Sequence, residues 1–342
     1  MPGVQPTVAD PAGLVEEPRT ARDAARAVET VLEHHLETAL GRARDVDPLF
    51  ARDVAGRVSA FVQRGGKRLR TAFAWCGWRA AGGSGDATAV LHTGAALELL
   101  QACALVHDDL VLTGDLALAW ADDLLTETAL GSPHGRRLFL EWQAMRGEIV
   151  AGQYRDIHAQ AATSSGVDQA LTIATLKSAL YTVERPMALG TALTAADEYT
   201  LHALRSAGRC AGLAFQLRDD LCGAFGDPAL TGKPADNDLR TRKLTYLLAV
   251  AVRLAHAAGD EEAAAVLAPG AAHRSEDTVQ RMRAALERTG DRTVVESKIA
   301  GLAATSPRHF ATIGAGPGPR REFAALVERA PGVAPGPTGE GA

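Results

Sequence analysis

Three stretches of the chain combine residue types that can handle phosphate groups and divalent metal. The first is Gly65-Gly66-Lys67-Arg68-Leu69-Arg70. Two glycines free the backbone just ahead of a helix predicted to open near Lys67. Exposed N–H groups at a helix start, beside three cations, favour an anion. A loop with a basic helix start would use the same residues, so the motif alone does not choose between the two readings. The second stretch is His107-Asp108-Asp109, at the end of a long apolar helix. Adjacent carboxylates so near a buried helix face are costly unless neutralised. Mg²⁺ would neutralise them, because it prefers carboxylate and phosphate oxygen. Asp122-Asp123 is the same dipeptide on what reads as a solvated face, so an acid pair is not diagnostic by itself. The third stretch, Phe215-Gln216-Leu217-Arg218-Asp219-Asp220, repeats the acid pair at the end of another apolar helix and leads into Gly226-Asp227 and Gly232-Lys233.

Single polar residues on otherwise apolar helices add to these. Gln153 and Asp156 are three apart and share a helix face. Lys177 precedes a mostly apolar turn, and Lys243 and Thr245 open a further helix. Each alone reads as structural. Together with two acid pairs they describe a cavity in which metal ions meet phosphates.

Helices must position these groups. Ala, Leu, Arg and Glu dominate the chain, and Ala and Leu are strong helix formers. Apolar residues at helical spacing run through 21–44, from Ala24 to Leu40, and through Leu91, Ala95, Leu99, Ala102 and Val106. Further helices are predicted over 67–81, 113–130, 135–162, 168–183, 196–224, 243–257 and 276–304. No run alternates with period two between hairpin signals, and aromatic residues make up only 5%. The prediction is an all-α single domain over 21–305. A Pro-, Gly- and Val-rich arm (1–20) precedes it, and a Gly- and Pro-dense tail (306–342) follows, interrupted by a short helix at Arg320–Arg329.

Composition limits the alternatives. The 342 residues carry 36 basic and 41 acidic side chains, a net charge of −5, with 46% hydrophobic residues. That suits a globular chain with a substantial core and argues against a general nucleic-acid binder. Cys76, Cys103, Cys210 and Cys222 lie in apolar stretches without CxxC spacing, which predicts reduced thiols. No basic and apolar leader opens the sequence, and no window approaches 18 uninterrupted apolar residues, so a cytoplasmic protein without a membrane span is expected.

The order of the blocks resembles the trans-isoprenyl diphosphate synthases, or polyprenyl synthetases, particularly the geranylgeranyl diphosphate synthase type. The blocks are GGKRLR (65–70), ELLQACALVHDD (98–109), GDLALAWADDLL (114–125), MRGEIVAGQYRD (145–156), LKSALYTVERPMALG (176–190), FQLRDDLCGAFGDPALTGKP (215–234) and DLRTRKLTYLL (238–248). The resemblance covers about 60–305. It implies a helical bundle around a central apolar cavity, usually a homodimer, that condenses isopentenyl diphosphate head-to-tail with an allylic diphosphate. Position by position it implies Asp108, Asp109, Asp219, Asp220 and Asp156 as Mg²⁺ ligands. Lys177, Lys233 and Lys243 would contact the allylic diphosphate, and Lys67, Arg70 and Gln101 would hold isopentenyl diphosphate. Gln216 and Ser178 would line the reaction centre. Cys103 and Ala104 are small where an aromatic residue resembles a plug that stops growth at the farnesyl stage, which implies a longer product. Leu100 would form a deeper floor.

The sequence departs from the family in five respects. The third aspartate of the first acidic motif is replaced by Leu112, and the arginine pair that normally follows is absent. Gly114 argues against one unbroken helix there, which assigns Asp115 to the next helix. Gly223 holds the fifth place of the second acidic motif. Arg242 stands where glycine is common before Lys243, and Thr71 where proline is common after Arg70. An impaired or non-catalytic partner subunit is therefore the competing reading, and a terpene cyclase a third. The cluster Lys67, Arg70 and Gln101 argues against a cyclase, which needs only one diphosphate site.

Overall fold

A computed structural model describes residues 18–107, 110–225, 237–268 and 275–329. Among them there is no strand, as the patterning predicts. The chain divides into two compact helical units, the first reaching Trp75 and including Ser84–Ser132, the second Cys76–Gly83 with the chain from Pro133 onward.

The first unit holds α1 (Ala21–Val46), α2 (Pro48–Phe50), a π-helical stretch (Ala51–Ala55), α3 (Gly56–Gln63), the start of α4 (Leu69–Ala80), α5 (Thr88–Val106) and α6 (Val111–Gly131). Thr20 caps α1 through a capping box with Asp23, each residue satisfying the other's backbone N–H. Residues 48–63 lie outside the helices predicted from the sequence; here Asp47 is an N-cap, its Oδ1 accepting from Phe50 N–H at 2.7 Å. Leu32, Leu36, Val58, Phe73, Leu97, Leu99 and Leu125 are buried in this unit. Helix α5 is the one described helix long and apolar enough to cross a membrane, but 67% of its window is buried inside the protein, as in a core helix.

The second unit begins with the end of α4. It continues through α7 (Gly135–Ala161), α8 (Val167–Ala174), a π-helical segment (Thr175–Glu184), α9 (Arg185–Ala192) and α10 (Glu198–Phe225). Then come α11 (Asn237–Arg240), α12 (Tyr246–Ala258), α13 (Glu261–Leu267), α14 (Glu276–Thr289), α15 (Asp291–Ala311) and α16 (Pro317–Arg329). Gly290, at φ 71°, splits the single helix predicted over 276–304 into α14 and α15. Helix α15 docks along α10, with Ser306 Oγ donating to the Ala207 carbonyl at 2.8 Å. Ser306, the first residue of the predicted tail, is thus buried inside a helix, and Phe310 stacks on Phe323 of α16 with centroids 4.5 Å apart.

Two buried guanidinium networks fix these frames. In the first unit, Arg68 binds Glu29 through Nε and Nη2 at 2.7 and 2.8 Å and reaches Glu98 at 3.3 Å. In the second, Arg185 pairs with Glu141 at 2.6 Å and with Glu148, while Arg209 pairs with the fully buried Glu184 at 2.7 Å. Cys76 is buried and Cys103, Cys210 and Cys222 are half-buried, all four as free thiols.

Candidate active site

In the first unit the GGKRLR segment does not open a helix at Lys67. Arg68 adopts φ 45° and turns inward to Glu29 and Glu98, and α4 starts at Leu69. The three cations therefore separate. Arg68 is a buried anchor in the wall of a cleft that the exposed Lys67 and half-buried Arg70 line with Gln101, Gly65 and Gly66. That cleft brings together the three residues predicted for isopentenyl diphosphate.

Helix α5 stops at Val106, immediately before His107-Asp108-Asp109. Asp108 and Asp109 lie outside the described residues, as do Lys233 and the Gly226-Asp227 turn. The chain re-enters a helix at Val111, so the break falls ahead of Gly114 and not at it. Gly114 is needed for a different reason: a Cβ there would sit 2.8–2.9 Å from His107. Asp115 lies on α6, where its Oδ1 is 3.2 Å from His107 Nε2. Leu112 is exposed. Leu100 is buried, Cys103 half-buried and Ala104 exposed along α5. Asp123 is exposed and Asp122 half-buried, so this second dipeptide sits largely on a solvated face.

The second unit gathers most of the remaining predicted residues. Gly152 lets α7 touch the backbone of the π-helical segment, since a Cβ there would meet Lys177 N at 2.8 Å. One turn further on, buried Asp156 accepts from Lys177 Nζ at 2.5 Å and from Gln160 Nε2 at 3.2 Å. The wider, i→i+5 turn of a π-helix recurs at functional sites, and here such a stretch carries both Lys177 and Ser178. On α10, Gln216 donates to Asp220 Oδ1 at 2.7 Å. Asp220 is buried and Asp219 half-buried. Burial pushes the Asp220 carboxyl up to about 7; Asp238 and Asp219 push the same way, against Lys243 and the Gln216 hydrogen bond.

Lys243 binds these elements together. Burial works to lower its ammonium pKa, but Asp238, Asp220, Asp156 and Asp219 outweigh it and the net shift is upward. Thr245 caps α12, accepting from Leu248 N–H at 3.2 Å, and so sets the turn that presents Lys243. Lys177, Ser178, Gln216, Asp220 and Lys243 line one cleft. Asp238 is the member that the sequence reading missed. It stands on the short helix α11, five residues before Lys243 in the block DLRTRKLTYLL, where one acid among basic residues gives no sequence signal.

The donor set suits a hard cation. Asp219, Asp220 and Asp238 offer the carboxylate oxygens that Mg²⁺ takes, although among the described residues no three such side chains already stand at metal-holding distance. Burial that drives Asp220 towards its neutral form is the cost that a divalent ion would offset. The two ammonium groups complete a surface for anionic oxygen.

Among the described residues the fold is all-helical, and carboxylates, an amide and lysines meet on α7, α10 and the start of α12, an arrangement suited to an anionic ligand. Comparison with known proteins narrows this. The polyprenyl synthetase family model matches residues 110–286, just over half of the chain. Geranylgeranyl diphosphate synthase of Mycobacterium tuberculosis is 35% identical over 250 residues, covering 66% of this chain and 69% of that protein. A (2E,6E)-farnesyl diphosphate synthase of Mycobacterium bovis is 34% identical over 203 residues, 53% of this chain and 55% of that protein. The fold matches a crystal structure of geranylgeranyl pyrophosphate synthase from Corynebacterium glutamicum, complexed with isoprenyl diphosphate and magnesium, with TM-score 0.83, 31% identity and coverage of 90% of this chain and 98% of that one. The chain belongs to the polyprenyl synthetase family and is a prenyltransferase.

Proposed function

We propose that the protein is a Mg²⁺-dependent prenyl diphosphate synthase, joining isopentenyl diphosphate head-to-tail to an allylic diphosphate with geranylgeranyl diphosphate as product. The observation that carries this reading is the convergence of Asp156, Asp219, Asp220 and Asp238 on Lys243, with Lys177 held 2.5 Å from Asp156. Asp219 and Asp220, with Asp238 beside them, would hold Mg²⁺, to which the family resemblance adds Asp156, Asp108 and Asp109, and the ion would stabilise the negative charge of the departing pyrophosphate.

The chain's own residues then have distinct tasks. Lys177 and Lys243, with Lys233 as the family resemblance implies, donate to the allylic diphosphate as its C1–O bond breaks. Lys67, Arg70 and Gln101 bind isopentenyl diphosphate, whose double bond attacks the allylic C1. The C2 proton is then lost to the released pyrophosphate. Gln216 and Ser178 line the reaction centre, and apolar surroundings keep water from the cation. Small side chains at Cys103 and Ala104 leave room for growth past the farnesyl stage, with Leu100 deeper on the same helix. A cytoplasmic homodimer is part of the proposal. Val150, Tyr154 and Ile157 form an exposed apolar stripe at i, i+4 and i+7 of α7, suited to a second copy.

Incubating the purified chain with farnesyl diphosphate, radiolabelled isopentenyl diphosphate and Mg²⁺ tests this. The expected result is a labelled geranylgeranyl diphosphate that disappears with EDTA. Silence until an active homologue is added would replace the proposal with a partner-subunit role.

A further inference from the structure

Arg242 differs from the other cations of the second unit. Its backbone takes φ 48°, a left-handed conformation that side-chain-bearing residues avoid. Its Nη1 donates to the Ala268 carbonyl, while its Nε is buried without a hydrogen-bond partner. No carboxylate among the described residues pairs with it, and burial holds its guanidinium below the usual range. A half-buried cation with a buried, unpartnered Nε is unfavourable unless an acceptor completes it. Arg242 and Lys243 line a single cleft with Ser164 and Ser165, its remaining wall formed by six apolar residues that include Leu248 and Met282. The Ser164 hydroxyl is already engaged with Gln169, which leaves the half-buried Ser165 as the available hydroxyl donor.

We infer that this cleft is a diphosphate subsite adjoining the Lys177–Lys243 cleft, in which Arg242 and Lys243 grip one phosphate group from two sides with Ser165 as a third donor. This rests on the proposed prenyl transfer for its substrate, the allylic diphosphate or the pyrophosphate it releases. Arginine suits the task because its planar fork holds two phosphate oxygens at once. The strained backbone at 242 is then the cost of placing a guanidinium where glycine would relax the turn.

The test is isothermal titration of the full chain with inorganic pyrophosphate in Mg²⁺, comparing the wild type with Arg242→Gly, Arg242→Met and Arg242→Lys. The glycine variant suits the left-handed backbone, and a thermal melt checks that it folds. Pyrophosphate should bind Arg242→Gly and Arg242→Met about tenfold more weakly, with most of the affinity restored in Arg242→Lys. A parallel rise in KM for the allylic diphosphate, with kcat and the KM for isopentenyl diphosphate little changed, assigns the subsite to bound substrate. An unchanged allylic KM assigns it to the departing pyrophosphate. Equal pyrophosphate affinity in all four proteins, or none in the wild type, overturns the inference. A wild type that binds pyrophosphate yet forms no product counts against prenyl synthesis alone.

Discussion

At Lys243 four carboxylates face two ammonium groups, counting Lys177, and this imbalance in a buried setting drives the local chemistry. Asp220→Asn should lower kcat by about 10²-fold or more and weaken Mg²⁺ activation while leaving the melting temperature unchanged or higher, because the variant removes a carboxylate that burial disfavours. A Mg²⁺ titration of the rate beside a thermal melt checks both parts. Asp291 offers a test away from the site. It is fully buried at the start of α15, accepts from Thr289 Oγ1 at 3.0 Å, and burial raises its carboxyl to about 6. A folded-state pKa above the unfolded value of 3.8 means that its stabilising contribution is complete below about pH 3.8 and is lost as pH rises through about 6. Asp291→Asn should therefore stabilise the protein by about 1–3 kcal/mol at pH 7.5 and have little effect near pH 4, as measured by urea unfolding.

Helix-to-helix spacing sets the site one level up. Gly152 brings α7 against the π-helical segment, and the Asp156–Lys177 pair depends on that approach. Gly152→Ala should cost about 1–3 kcal/mol of stability. Its larger effect should be on kcat/KM for the allylic diphosphate, because the added methyl shifts Lys177 away from Asp156. Paired unfolding and steady-state measurements separate the two effects. The Arg185 network acts on the same elements from the other end. Arg185→Leu removes the guanidinium from Glu148 and leaves Glu141 with Arg205 alone, at 3.4 Å, and should cost about 3–5 kcal/mol, visible as an early thermal transition.

For the molecule as a whole, product length and assembly are the properties at stake. Cys103→Phe or Ala104→Phe should shift the main product from a twenty-carbon to a fifteen-carbon chain without loss of initial rate, read by chromatography of the dephosphorylated alcohols. An unchanged product would move the floor of the cavity away from α5. Sedimentation velocity should give a dimer, and Tyr154→Glu on the exposed stripe of α7 should shift it towards monomer. The chain's division into two compact units, with the boundary inside α4 between Trp75 and Cys76, gives the stability measurements a structural frame. Both units share a continuous helix, so their unfolding is expected to be coupled, as coincident transitions by tryptophan fluorescence and circular dichroism would show.

The amino-acid sequence alone determined the helical class, because period-3.6 apolar spacing and the scarcity of aromatic and alternating runs are local properties. It also marked Asp219, Asp220, Lys177, Lys243, Lys67 and Arg70, since charges at apolar helix ends stand out against their neighbours. Tertiary structure decided what the pattern does not encode. It turned Arg68 inward to Glu29 and Glu98, wound residues 175–184 as a π-helix, drew Asp238 into the acid cluster and left Arg242 Nε buried without a hydrogen-bond partner among the described residues. Each of these depends on which groups meet across tens of residues of sequence, and burial and Coulomb forces act on that distance in space, to which local periodicity is blind.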